Sequence, residues 1–161
     1  MNIIGIDPGL GCTGCAVYDT TTDRILDVRA FAGLTGMPVE GRIKGIVEGL
    51  FSWAGPYLEM PNTLVAIEDN HFTSGRSAQS AMKQREVIGA LGYRAACQGM
   101  PVVRVAPTSA KKALTGSGKA SKEDMVEKIN EKMWIMDLNQ KSQEAIADAY
   151  GVCLAAVKEA E

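Results

Sequence analysis

Apolar positions along the chain fall first into short strand-like runs and later into helical stripes. Ile3-Ile4-Gly5-Ile6 is a nearly continuous apolar run that ends on Asp7, so residues 3–7 read as a first strand. Residues 14–19 and 25–31 read as a second and a third, joined by a polar stretch short enough for a hairpin. Three antiparallel strands in a row are therefore expected. From Pro38 the period changes: Ile43, Ile46, Val47, Leu50 and Phe51 recur at helical spacing, opposite Arg42, Lys44 and Glu48, with Pro56 and Pro61 expected to punctuate the end. Residues 64–68 form a fourth apolar run, of the kind found at central or parallel positions. Residues 77–98 read as a long helix carrying the small residues Ala78, Ala81, Gly89, Ala90 and Gly92. These suit close helix approach or dimerisation, although each glycine weakens the helix by about 1 kcal/mol.

Residues 101–106 read as a fifth strand, and Pro107-Thr108-Ser109 opens a short helix to Leu114. A glycine-rich loop over 115–120 leads to another helix beginning at Ser121, where Asp124 makes an imperfect capping box. The last helix, 141–158, has Ile146, Ala149, Tyr150, Cys153 and Val157 for an apolar face. This order of elements is that of an α/β, ribonuclease-H-like fold: a five-stranded mixed β-sheet flanked by helices on both faces. In such a sheet strands one and four are parallel neighbours, which brings Asp7 and Glu68 together. The turn Asp7-Pro8-Gly9 is expected to use a proline with fixed φ and a glycine free to take φ > 0.

Composition narrows the class. The 161 residues fit one domain, 1–161, and 46% apolar residues suffice for a core. No apolar run reaches about 18 residues, so no membrane span is expected. The N-terminus has no basic region and reads as neither a signal nor a transit peptide, which makes a cytoplasmic protein the expectation. Cys12 and Cys15 have C-x-x-C spacing, but with one histidine (His71) in the chain they are read as turn or core cysteines. The net charge of −2 hides an asymmetry. Nine basic residues and one acid lie between Arg76 and Lys122, a net +8 against −10 elsewhere. Such an imbalance suggests a cationic face for a polyanion.

The chemistry sits in Asp7, Glu68, Glu144 and Asp148, carboxylates placed where the pattern would bury an apolar side chain. Buried carboxylates are costly unless paired or metal-bound. Glu144 and Asp148 are spaced i, i+4 and so share a helix face. If that face docks against the ends of strands one and four, the four acids converge into a cage for Mg²⁺, a hard ion with oxygen ligands. Two such ions about 3.5–4 Å apart serve phosphodiester cleavage.

The run Ile4-Gly5-Ile6-Asp7-Pro8-Gly9-Leu10-Gly11-Cys12-Thr13-Gly14 resembles the first-strand signature of the RuvC Holliday-junction resolvase family. Val65-Ala66-Ile67-Glu68 is similar to its second acidic motif, residues 106–126 to its basic segment, and Ala147-Asp148-Ala149-Tyr150-Gly151-Val152 to its final acidic helix. The similarity covers nearly the whole chain in order. It implies a homodimer that makes two symmetric, Mg²⁺-dependent nicks across a four-way DNA junction, with two ions per active site and Mn²⁺ able to substitute. Asp7, Glu68 and Asp148 would be metal ligands. Lys111 and Lys122 would lie at the DNA near the scissile phosphate, with Lys122 catalytic, and Lys112 and Lys119 would add phosphate contacts. Arg76, Lys83 and Arg85 belong instead to the cationic span from Arg76 to Lys122 and are expected at the DNA.

Two departures stand out. Where the family often has an acid or histidine three residues before the final aspartate, this chain has Ala145, and Glu144 is the nearest substitute. The aromatic expected after the second acidic motif is Phe72, suited to base stacking, with His71 beside it either to activate a water or to hydrogen-bond a loop. These mark a divergent member, bacterial or encoded by a bacteriophage or prophage. A branch-migration motor as partner finds no support in the sequence. Rival readings are a flap or branched-DNA nuclease with the same metal site, and an inactive nucleic-acid-binding relative. An actin-like ATPase shares an Asp-x-Gly loop but needs two lobes, for which the chain is too short.

Overall fold

In the first strand, side chains alternate between the two faces of the sheet, and both faces are covered. The computed structural model describes residues 1–69 and 78–160. Strand β1 (Asn2–Asp7) pairs antiparallel with β2 (Thr13–Asp19), which pairs antiparallel with β3 (Arg24–Phe31). Helix α1 (Val39–Leu58) crosses to β4 (Thr63–Glu68), which lies parallel to β1, and α2 (Ala78–Cys97) crosses to β5 (Val102–Val105), parallel to β4. The sheet order is β3-β2-β1-β4-β5. Helices α3 (Pro107–Thr115), α4 (Lys122–Asn130) and α5 (Gln140–Ala160) complete the chain. This is the expected five-stranded mixed sheet.

Ile4, Ile6, Cys15, Val17, Val65 and Ile67 point to one face, where they pack with Val47, Leu50 and Phe51 of α1 and Val87, Ile88 and Leu91 of α2. Ile3, Ala16, Tyr18, Leu64 and Ala66 point to the other, against Ile146, Tyr150 and Cys153 of α5 and Met125 and Ile129 of α4. On this second face α5 rests on bare strand backbone. A Cβ at Gly5 would overlap the Ala149 carbonyl, and one at Gly14 would overlap the Ala145 carbonyl. Only glycine at these two positions lets the helix sit so low.

Three local expectations change. Pro56 lies inside α1, in its last turns, and the helix runs on to Leu58. A proline there gives up its own N–H bond to the preceding turn, and Trp53, Tyr57 and Leu58 on either side of it pack against the core and hold the helix across it. Gly9 is not among the glycines of positive φ, which are Gly36, Gly99 and Gly116. It is required by proximity instead, since a Cβ would strike the Cys12 carbonyl. The capping box of α4 is complete: Ser121 Oγ accepts from the Asp124 N–H at 3.1 Å, and the Asp124 carboxylate accepts from the Ser121 N–H at 2.8 Å.

Candidate active site

Parallel pairing of β1 with β4, in register from Asn2–Thr63 to Ile6–Ile67, carries Asp7 and Glu68 to the same end of the sheet. Glu68 is buried and Asp7 half-buried. The loop after Asp7 is closed by buried Thr13, whose Oγ1 donates to the Gly9 carbonyl at 2.9 Å and accepts from the Gly9 N–H at 3.2 Å. Gln84 of α2 steadies the same loop, its Nε2 donating to the Pro8 carbonyl at 3.1 Å. Low seating of α5 brings Asp148 to this end of the sheet. Asp7, Glu68 and Asp148 thus line one open cavity of about 480 Å³, together with Ser80, Lys83, Gln84, Lys122 and Lys141.

Burial pushes the Asp148 carboxyl above its ordinary range, against the pull of the Lys122 and Lys111 charges. A half-desolvated carboxyl of this kind is one that an added cation would favour in its charged form. Three carboxylates around one cavity are the hard oxygen donors that suit a divalent ion such as Mg²⁺. Among the described residues, no three His, Cys, Asp or Glu side chains stand close enough to form a finished metal cage.

Glu144 does not line this cavity. It lines a neighbouring groove of about 460 Å³, walled by α4 and α5 and by Trp134 and Met136. Its Oε2 accepts from Lys122 Nζ at 2.5 Å and its Oε1 from Gln140 Nε2 at 2.9 Å. The Lys122 bond holds the Glu144 carboxyl below its usual range, and Glu144 in turn raises the Lys122 ammonium. Lys122 borders both the cavity and the groove.

The described cations of the basic span have different surroundings. Lys83 faces the cavity. Arg85 is bound at 2.7 Å to Asp69, just past β4. Arg94 lies over the Phe51 ring at 5.5 Å. Lys111 Nζ donates to the Ala120 carbonyl at 2.8 Å and so braces the glycine-rich loop, while its charge acts on Asp148. Lys112 and Lys119 border two other shallow hollows. Phe72, Arg76 and His71 lie outside the described residues. Lys141 was not foreseen, although it stands seven residues before Asp148, two helical turns along the same face. Its ammonium is so close to Gly11 that a Cβ there would lie 2.7 Å from Nζ. All four cysteines are free, with Cys15 and Cys153 buried in the core and Cys12 at the cavity wall.

A mixed sheet whose parallel pair ends in carboxylates, backed by an acidic helix, defines a nuclease of the ribonuclease-H-like class. A family model for the crossover junction endodeoxyribonuclease RuvC matches residues 3–156. RuvC of Pelobacter propionicus is 32% identical over 156 residues, covering 96% of this chain and 84% of that protein. The structure of Thermus thermophilus RuvC superposes with a TM-score of 0.77 at 25% identity, covering 99% of this chain and 95% of that one. The same RuvC in complex with a Holliday junction substrate matches equally well, at TM-score 0.77 and 24% identity, covering 99% of this chain and 94% of that one. The chain belongs to the RuvC family.

Proposed function

We propose that this protein resolves four-way DNA junctions as a homodimer, using Mg²⁺ to make paired symmetric nicks. The observation that carries the reading is the meeting of Asp7, Glu68 and Asp148, from three separate elements, in one cavity walled by lysines. Family membership supports the nuclease activity, and the Holliday junction bound by the Thermus thermophilus relative supports the substrate. Asp7, Glu68 and Asp148 hold the metal. A divalent ion bound there supplies an activated water and a charge clamp on the phosphate.

The chain's own cations do the rest. Lys83, Lys122 and Lys141 border the carboxylates and receive the phosphate backbone, which would otherwise be repelled by three acids. Lys111 keeps the loop at Ala120 in place. Phe72 and Arg76 are assigned to the junction on the sequence alone. For the dimer, α2 presents an exposed stripe at helical spacing, Met82, Glu86, Gly89 and Tyr93, with Met82 60% and Tyr93 74% exposed. Large exposed apolar side chains flanking a glycine suit close contact with a second copy.

The test is cleavage of a labelled four-way junction beside a linear duplex and a flap, with and without Mg²⁺. Paired cuts confined to the junction are expected. Cuts mainly in the flap would transfer the same site to another substrate, and binding without cutting under any divalent ion would end the nuclease reading.

A further inference from the structure

The fourth acidic residue stands in an unusual place. Glu144 and Asp148 leave the same helix one turn apart, yet one lines the cavity and the other the adjoining groove. Both Glu144 oxygens are already engaged, one by the Lys122 ammonium at 2.5 Å and the other by the Gln140 amide at 2.9 Å. The Glu144 side chain is only 17% exposed, whereas that of Lys122 is 58% exposed. The glutamate is thus the fixed partner and the lysine the reaching one. Gln140 sits one turn before Glu144 on α5 and holds its carboxylate from behind. The residue facing the sheet at this level of α5 is Ala145, which is buried and has no donor atom to offer a metal.

Resting on the cavity's assignment as a metal-dependent nuclease site, we propose that Glu144 is not a metal ligand but a positioning residue that aims Lys122 at the scissile phosphate. The site then works with three carboxylates and an aimed ammonium. A lysine left to itself has a long, flexible stem and several rotamers to lose on binding DNA. Anchored between Glu144 and the cavity mouth, Lys122 has already lost most of them, so its charge arrives pre-oriented at the phosphate. The groove also gains a consequence. Whatever occupies the space between Trp134 and Glu144 touches the group that sets Lys122.

Two readouts test this. Binding of Mn²⁺ to the DNA-free protein, followed by calorimetry, should be unchanged within about twofold in Glu144→Gln and strongly weakened in Asp148→Asn. Single-turnover junction cleavage at saturating metal should fall on the order of tenfold in Glu144→Gln and in Lys122→Ala alike, and the double variant should be no worse than either single one. Full cleavage by Glu144→Gln, additive losses, or Mn²⁺ binding as weak as in Asp148→Asn would each overturn the positioning role. Unchanged Mn²⁺ binding in Asp148→Asn would instead overturn the cavity's assignment, and the positioning role with it.

Discussion

Asp148 is costly to the protein that contains it. Its folded pKa lies above the unfolded value of about 3.8 because burial disfavours the charge. A raised carboxyl stabilises the fold only while protonated. That contribution is complete below the unfolded pKa and is lost as pH rises through the folded one. Asp148→Asn should therefore raise the Tm of the metal-free protein at neutral pH, with the gain shrinking as the pH is brought below about 4. Equal melting temperatures at pH 7 would contradict this. Asp7→Asn should reduce cleavage to background and leave junction binding nearly intact, which gel shift and nicking assays on one preparation would separate. At this scale the sequence was informative where a side chain's neighbours are fixed by strand pairing, as for Asp7 and Glu68. It was less so for Glu144. Spacing i, i+4 predicts a shared helix face, but the two positions are about 40° apart around the axis and 6 Å apart along it. Lys122, from another element, occupies the gap between them.

At the level of elements, the seat of α5 on β1 and β2 decides where the third carboxylate stands. Gly14→Ala would push a methyl group into the Ala145 carbonyl, with no flexible side chain able to yield. A cost of about 3 kcal/mol or more is expected, and chemical denaturation would measure it. A variant within 1 kcal/mol of the parent would show that α5 moves easily. The strands were legible because their apolar runs are short and end at turns, and the capping box because its two partners are three residues apart. The role of Gly9 was not, because the close approach of the Cys12 carbonyl, three residues on, leaves no trace in local pattern. Pro56 misled for a related reason: Tyr57 and Leu58 pack against the core and carry the helix past the proline, a tertiary contact that local pattern does not show.

For the molecule as a whole, the charge asymmetry was visible in the sequence but its distribution was not. Arg85, Arg94 and Lys111 are committed to Asp69, Phe51 and Ala120, and Lys141 enters the cavity from outside the basic segment. The salt dependence of junction binding should therefore fall by about 0.9 per lost contact in Lys83→Ala and Lys141→Ala. Lys112→Ala and Lys119→Ala should change it less. An unchanged slope in the first pair would remove the cavity lysines from the DNA. Tyr93→Glu with Met82→Glu should convert a dimer to monomers in analytical ultracentrifugation and uncouple the two nicks of a junction. A dimer that survives both substitutions would place its interface elsewhere.

The two faces of the sheet differ in how they can accommodate change over generations. On the α1 and α2 face, full side chains such as Ile4, Ile6 and Val17 lie between strand and helix, and one apolar residue can be exchanged for another with local repacking. On the α5 face, helix backbone meets strand backbone at Gly5 and Gly14, and no such cushion exists. Drift should be tolerated across the first face and purged at Gly5 and Gly14 on the second, although neither lines the cavity.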